Sequence, residues 1–181
     1  MTSYTPSDLD ARKLHQCLLG GIAPRPIAFV STQDRQGRVN LAPFSYFNVF
    51  SANPPLLVFS PARRGRDGTT KHTWDNVQHV QEAVVNLVDH AMVHACSLAS
   101  TDYAEGVDEF VKTGLTPLAS DAVSPPRVAE SPVQLECKVV KLESLGEHGG
   151  AGQLVFAEIV KMHFRDDVVN EAGVPDATLL D

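Results

Sequence analysis

A basic segment in the first half of the chain carries the residues best suited to hold an anion. It begins at Ser60, continues through Arg63, Arg64 and Arg66, and ends in the run Lys71-His72-Thr73. These side chains stand just before a predicted helix, whose N-terminus offers free N–H groups and a partial positive charge. The combination favours a phosphate group; a solvated loop whose charges serve solubility is the alternative. No Gly-Lys-Ser/Thr motif is present, so the segment is not a nucleotide P-loop.

A second group of polar residues is embedded in the apolar run Asn40-Leu41-Ala42-Pro43-Phe44-Ser45-Tyr46-Phe47-Asn48. Proline has no N–H for a sheet ladder, so we expect a strand to break at Pro43 and its backbone to face something else. A Ser45 hydroxyl on that face could donate to a ring nitrogen of a ligand; a serine bonded to a neighbouring carbonyl is the alternative. With Arg25 upstream, this mixture suits a flat, mostly apolar ligand with polar edges.

Other residues with possible chemistry give weaker patterns. His163 ends the last long apolar run, where it could assist a redox partner or be a partly exposed strand-end histidine. His90 and His94 are four residues apart but lack the His-Glu-x-x-His carboxylate, so we assign them a structural role. The pair Asp108-Glu109 is interpreted as a solvated helix face. No Ser-His-Asp or Cys-His arrangement is visible, and no metal site is predicted.

Bulk properties limit the class of protein. The chain has 181 residues, 43% of them hydrophobic, and a formal net charge of -7. This length predicts one domain with a hydrophobic core. The charge argues against broad binding of nucleic acid or acidic membranes, and no apolar run approaches the roughly 18 residues of a membrane helix. Without a visible secretory signal, the three scattered cysteines are interpreted as free thiols of a cytoplasmic protein.

The elements that must position these residues are mainly strands with short inserted helices. Strands are predicted over residues 27–32, from about 38, and over 44–50, 56–60, 83–88, 133–142 and 153–164. Helices are predicted over residues 8–19, 73–81, 89–99 and 107–112. The proline-containing stretch 119–132 is predicted to cross the surface irregularly, and the tail 166–181 to be loosely held. This order favours a closed or nearly closed antiparallel barrel, one domain over 1–181 with its core at about 20–165.

Several of these segments together resemble the flavin reductase-like, FMN-binding split-barrel family. The resemblance is greatest to its flavoredoxin and nitrilotriacetate monooxygenase component B type, and it covers about residues 20–164. It rests on residues 24–32, 40–45, the pair Pro54-Pro55, Lys71-His72-Thr73 followed by Asn76, and residues 103–115.

The resemblance implies a homodimer of six-stranded antiparallel split barrels, each holding one FMN near the dimer interface. The segment from Ala42 to Ser45 would lie along the isoalloxazine, with the Ser45 hydroxyl near the reactive ring nitrogen. Ser60 and the run Lys71-His72-Thr73 would hold the phosphate, and His163 would lie beside the nicotinamide or substrate. The residues assigned to cofactor binding are Arg25, Asn40, Ala42, Pro43, Phe44, Ser45, Asn48, Ser60, Arg63, Lys71, His72 and Thr73.

Two departures from the family pattern bear on the site. His72 stands where relatives usually have the aspartate of Lys-Asp-Thr, so an acidic side chain that fixes this loop is lost. Relatives also commonly continue beyond the position of Asp181 with a segment that contains Arg, Gly-Gly and Tyr.

The function implied is an NAD(P)H-dependent flavin reductase, in which reduced nicotinamide passes a hydride to the bound flavin. The cofactor performs the chemistry, while Ser45 and His163 are the residues assigned to catalysis. An FMN-containing electron carrier without nicotinamide activity is the first alternative, and a flavin-free barrel that serves as an interaction module is the second. The electron acceptor, whether a small molecule or a partner monooxygenase, has no signal in the sequence.

Overall fold

The computed structural model describes residues 1–180, and its main feature is a seven-stranded antiparallel sheet. In chain order its strands are β1 (Ala28–Gln33), β2 (Val39–Phe44), β3 (Phe47–Ala52), β4 (Pro55–Phe59), β5 (Glu82–Asn86), β8 (Val133–Ser144) and β9 (Gln153–Phe164). A separate antiparallel pair is formed by β6 (Pro117–Leu118) and β7 (Arg127–Val128). The predicted mainly β class with short helices is confirmed, with seven strands in the sheet instead of six.

The sheet is split between β2 and β3. Its strand order is β2-β1-β5-β8-β9-β4-β3, so two strands that are consecutive in the chain lie at opposite edges. The chain passes from one edge to the other through a bend at Ser45 and Tyr46. Near the bend, the buried rings of Phe44 and Phe59 stack with their centroids 5.9 Å apart. The strand order therefore leaves the backbone at the end of β2 open to a ligand on one side.

Pro43 does not break the strand, contrary to the prediction. It lies within β2, opposite Phe29 of β1, and the bend follows two residues later at Ser45. Because β2 is an edge strand, a residue without an N–H is tolerated there.

Four short helices accompany the sheet: α1 (Ala11–Gly21), α2 (His72–His79), α3 (Val93–Ala99) and α4 (Glu109–Thr113). The first begins later than predicted because Asp10 caps it by accepting from the Lys13 N–H at 2.7 Å. The last ends at Gly114, close to the predicted end, because the left-handed conformation there (φ 72°) is best adopted by glycine. No helix within residues 1–180 is long and apolar enough to cross a membrane.

Two apolar clusters lie on the two faces of the sheet. The inner cluster includes Val30, Phe59 and Val85 and is closed by Trp74 and Val77 of α2. The outer cluster joins strand residues to helices α3 and α4 and to the crossing segment, through Phe29, Leu41, Met92, Ala99, Phe110 and Val128. Consecutive residues of one strand are thus buried on opposite faces, as the alternation of side chains requires.

Two segments expected at the surface are anchored in the fold. The crossing segment carries Val128, which is fully buried in the outer cluster. The tail is held by the fully buried Val168, whose carbonyl accepts from the Asp176 N–H at 2.9 Å, and by Leu180, which packs against the inner cluster. Val168 and Leu180 thus anchor two points of the tail, while most residues of 166–180 are exposed. Asp181 lies outside the described residues.

Candidate active site

A cleft of about 330 Å³ opens where the N-terminus of α2 meets β2. One wall is formed by Asn40, Ala42 and Pro43 of β2, and another by residues 71–73 at the start of α2. The remaining walls are the loop 64–66, the residues 99–103 that end and follow α3, and Glu109 of α4. The structure therefore brings part of the basic segment, Arg64, Arg66 and residues 71–73, next to Asn40, Ala42 and Pro43 of β2.

Lys71 is the most unusual charged residue of this cleft. It is half-buried at the N-cap position of α2, and that helix start has no side-chain cap. Within residues 1–180 its ammonium forms no salt bridge, and Nζ lies 5.3 Å from the centre of the Phe44 ring. Burial lowers the pKa of Lys71, the nearby charge of Arg64 lowers it further, and Asp102 offsets part of this shift. An unpaired cation at an uncapped helix start is well suited to a phosphate.

A buried pair of polar side chains fixes the start of α2 against the sheet. The Asn40 Nδ2 group donates to Thr73 Oγ1 at 3.0 Å, and the two residues are only 7% and 1% exposed. One turn later, Asn76 Nδ2 donates to Thr32 Oγ1 at 3.1 Å. The helix begins before Thr73, with Lys71 at the N-cap position, and Thr73 connects its first turn to β2. These bonds hold the N–H groups of α2 at a fixed distance from the strand that lines the cleft.

Arg64 and Arg66 are paired with one carboxylate across the cleft. Asp102 accepts from Arg64 Nε at 2.9 Å and lies 2.8 Å from Arg66 Nη2. The hydrogen bond from Arg64 and the charges of Arg64, Arg66 and His72 hold the pKa of Asp102 below its usual range, against a small effect of burial. Asp102 was not among the predicted site residues, because nothing in its local sequence shows that the loop after α3 meets the basic segment.

Glu109 also belongs to the cleft, and the prediction that it faces solvent is wrong. It is 5% exposed, and its Oε2 accepts from the Leu41 N–H of β2 at 3.1 Å. That N–H is available because β2 is an edge strand. Burial raises the pKa of Glu109, although the hydrogen bond from Leu41 opposes the shift.

Two predicted phosphate ligands bind the β8–β9 hairpin instead of lining the cleft. Ser60 Oγ accepts from the Gln153 N–H at 3.0 Å. Arg63 donates to the carbonyl of Gly146 at 3.1 Å and to that of Gly68 at 2.9 Å. Both residues thus shape the basic loop: the Ser60 hydroxyl accepts from the hairpin backbone, and the Arg63 guanidinium donates to protein carbonyls.

Arg25, Ser45 and Asn48 lie outside this cleft, in segments next to the split. Arg25 donates to the carbonyls of Leu19, at 2.8 Å, and of Ile22. Asn48 is exposed on β3, and its Oδ1 accepts from the N–H of the next residue at 2.8 Å. Ser45 is half-buried in the bend between β2 and β3. Phe44 is buried beside the cleft, under the Lys71 ammonium.

His163 is also separate from the cleft. Its Nε2 lies 2.6 Å from Oε1 of the fully buried Glu136, which accepts from the N–H groups of Asp121 and Ala122 as well. Burial acts to raise the pKa of Glu136, but these hydrogen bonds outweigh it and the net shift is downward. His163 of β9 therefore contacts the same carboxylate of β8 that holds the crossing segment.

Asp121, Glu136 and His163 place ligand atoms within 4.8 Å of one another, so the group was considered as a metal site. Asp121, however, is paired with Lys161, and Glu136 lies 3.8 Å from Arg127. The cationic side chains of Lys161 and Arg127 already lie beside these carboxylates, which disfavours the binding of a metal cation. We interpret the group as an ion-pair network that holds the crossing segment.

A larger cleft of about 650 Å³ adjoins the first and shares Asn40 and His72 with it. Four carboxylates line it, those of Asp34, Asp75, Glu105 and Asp108. Arg35 and Arg38 line it as well, so its carboxylates outnumber its always-charged cations, whereas in the smaller cleft the three cations Lys71, Arg64 and Arg66 outnumber the two carboxylates of Asp102 and Glu109. This difference in charge favours the smaller cleft for an anion despite its size.

The three cysteines are free thiols, as predicted. Burial raises the pKa of Cys96 to about 11, and burial also raises the pKa of Cys137. A thiol with a raised pKa is a poor nucleophile at neutral pH.

Known proteins of the same fold share this architecture. The family model of the flavin reductase like domain matches residues 20–180. An uncharacterised protein of Halalkalibacterium halodurans is 38% identical over 176 residues, which are 96% of this chain and 84% of that protein. The crystal structure of nitrilotriacetate monooxygenase component B from Bacillus cereus has a TM-score of 0.92 and 32% identity, covering 99% of this chain and 89% of that one. The structure of 2-nitrobenzoate 2-nitroreductase from Pseudomonas fluorescens has a TM-score of 0.81 and 30% identity, and the match covers 94% of this chain and 80% of that one.

The fold and the cleft thus define an oxidoreductase of the flavin-binding split-barrel class. The chain belongs to the flavin reductase-like family, and the resemblance seen in the sequence motifs is confirmed.

The Asn40–Thr73 hydrogen bond gives a test of how α2 is held. Thr73→Val removes the acceptor and leaves the buried Asn40 donor without a partner, which we expect to lower the free energy of unfolding by about 1–3 kcal/mol. Thr73→Ser keeps the hydroxyl and should lose less. Urea unfolding followed by tryptophan fluorescence measures both, since Trp74 lies next to the substituted residue. Equal losses in the two variants would contradict this role.

Proposed function

We propose that the protein binds FMN in the cleft at Lys71 and reduces it with NAD(P)H. The observation that carries the proposal is the half-buried Lys71 ammonium, which has no carboxylate partner within residues 1–180 and lies at an uncapped helix start. The apolar residues Ala42 and Pro43 lie in the same cleft. An anion site beside an apolar strand suits the phosphate and the ring system of one ligand.

Different residues of the cleft would hold the phosphate and the ring system of FMN. Lys71 and the first N–H groups of α2 would hold the phosphate, each charge-assisted hydrogen bond contributing roughly 1.5–3 kcal/mol. Ala42, Pro43 and Phe44 would support the ring, and the open bend would place the Ser45 hydroxyl as a donor at its edge. Bound FMN supplies the hydride acceptor, while the protein orients it and excludes water.

The names of two relatives support redox chemistry of this kind. The Bacillus cereus protein is named as a component of a monooxygenase, and the Pseudomonas fluorescens protein as a nitroreductase. For this chain we infer a related role, in which electrons pass from the flavin to a small molecule or to a partner monooxygenase.

We also infer that the working form is a homodimer. The edge strand β3 exposes Val49 and Phe50, at 53% and 70%, and no residue of α1 is buried. An unpaired edge strand with large apolar side chains tends to pair with another chain. Ser45 and Asn48 belong to this part of the molecule, so a second copy seated there would bring these residues into the flavin site.

Substitution of Lys71 tests the phosphate site. For Lys71→Met we expect the affinity for FMN to fall by about 10- to 100-fold, because a charge-assisted hydrogen bond is lost. The affinity for riboflavin, which lacks the phosphate, should change little. The exposed Lys112 of α4 supplies a matched control, since Lys112→Met removes the same charge away from the cleft. Flavin fluorescence titration measures the affinity of each variant for each flavin. An equal loss of affinity for FMN and riboflavin in Lys71→Met would count against the assignment.

The lowered pKa of Lys71 predicts a pH dependence of the same affinity. The ammonium is charged below its pKa, so it loses its charge at a lower pH than an ordinary lysine. FMN affinity should therefore weaken as the pH rises from neutral toward the usual lysine range, and riboflavin affinity should not. This difference should disappear in Lys71→Met; its persistence would assign the titration to another group.

The dimer is tested by placing a charge on the exposed edge. Phe50→Asp should change the mass measured by light scattering from twice to once the 19.6 kDa of the chain. Val111→Asp is the control, because Val111 is 77% exposed on α4, away from β3. A monomeric wild type, or a Phe50→Asp variant that stays dimeric, would overturn the inference.

Anaerobic mixing of the FMN-loaded protein with NADH or NADPH tests the reductase activity. We expect loss of the flavin absorbance band with at least one of the two. Flavin that binds but stays oxidised with both would favour the electron carrier. Failure to bind any flavin would favour the flavin-free interaction module.

A further inference from the structure

Three charged side chains connect opposite walls of the cleft. Arg64 and Arg66 belong to the loop before α2, whereas Asp102 belongs to the loop after α3. The carboxylate receives the Arg64 Nε–H at 2.9 Å and lies 2.8 Å from Arg66 Nη2. The Arg64 side chain is only 14% exposed, so its direction toward Asp102 is set by the surrounding protein.

We infer that Asp102 is an internal competitor of the flavin phosphate and sets how readily the flavin exchanges. This inference rests on the proposed binding of FMN at Lys71. All three residues line the same cleft as Lys71, His72 and Thr73. The carboxylate thus occupies Arg64 Nε and Arg66 Nη2, two donors that a phosphate could otherwise use, while Arg64 Nη1 donates to the Thr70 carbonyl and Arg66 Nε contacts Asp67.

The distribution of charge favours a role of Asp102 as a competitor of the phosphate over a purely structural role in holding the loop. Of the three cations Lys71, Arg64 and Arg66, only Lys71 is without a carboxylate partner within residues 1–180. A phosphate dianion at Lys71 meets Asp102 as a like charge in a partly desolvated cleft, where repulsion is stronger than in water. It must share the arginines with Asp102 or displace it, and either course weakens its binding.

The same competition gives the site a function. A flavin held by Lys71 and the helix start alone leaves more readily than one that also holds two arginines. Asp102 therefore favours a flavin that binds and leaves as a substrate over one that stays permanently bound. The competition acts on the phosphate, so it should not affect a flavin that lacks one.

Asp102→Asn tests this inference, because it removes the charge while keeping the shape of the side chain. We expect it to tighten FMN binding by about tenfold, the ratio that corresponds to one retained charge-assisted contact, and to slow FMN release to a similar degree. Riboflavin affinity should stay unchanged. Glu105→Gln is the matched control: it removes one negative charge from the same loop, but its partner is Arg38 outside this cleft, at 3.1 Å. It should alter neither affinity.

Affinities are measured by flavin fluorescence titration and release by stopped-flow, and Asp102→Ser serves as a second variant with the same expectation. FMN binding that is unchanged or weaker in both Asp102 variants would overturn the inference, and weakening would show that Asp102 preorganises the arginines for the phosphate. An equal gain for riboflavin, or for Glu105→Gln, would also overturn it. In each of these results the wild type still binds FMN, so the proposed function survives; a wild type that binds neither flavin overturns both.

Discussion

The proposed flavin site depends on one positive charge that has no carboxylate partner within residues 1–180, the ammonium of Lys71 at the start of α2. A cation that is partly buried without a counter-charge has a lowered pKa and an unfavourable solvation energy, which an arriving anion improves. The Asn40–Thr73 bond keeps this helix start against β2, so the charge stays beside an apolar strand. The order of the strands matters for the same reason, since β2 borders a cleft only because the sheet is split beside it.

The cationic side chains of the basic segment have different partners in the fold. Arg63 is used to hold the β8–β9 hairpin, Arg64 and Arg66 face Asp102, and Lys71 alone is left for a ligand. Four neighbouring basic residues thus have three different roles. His72 adds no negative charge to the cleft, and the carboxylate that pairs with the arginines of the loop comes from Asp102, far along the chain.

The sequence predicted well what local patterns determine. The strand and helix order and the end of α4 at Gly114 follow from side-chain alternation and glycine conformation, whereas the assignment of residues 40, 42, 43 and 71–73 to one site came from the resemblance to the family. It did not predict contacts between distant segments. Glu109 accepts from Leu41, 68 residues away, and His163 meets Glu136, 27 residues away. Residue type shows that a side chain can donate or accept, but only the fold decides its partner, and for Ser60 and Arg63 that partner is protein.

The most direct test is a crystal structure of the protein grown with FMN. The phosphate should lie within hydrogen-bonding distance of Lys71 Nζ, about 3 Å, and of the first N–H groups of α2. The ring should extend from there along Ala42 and Pro43 toward the bend at Ser45. A phosphate bound elsewhere, with Lys71 facing solvent and no ring beside β2, would contradict the account.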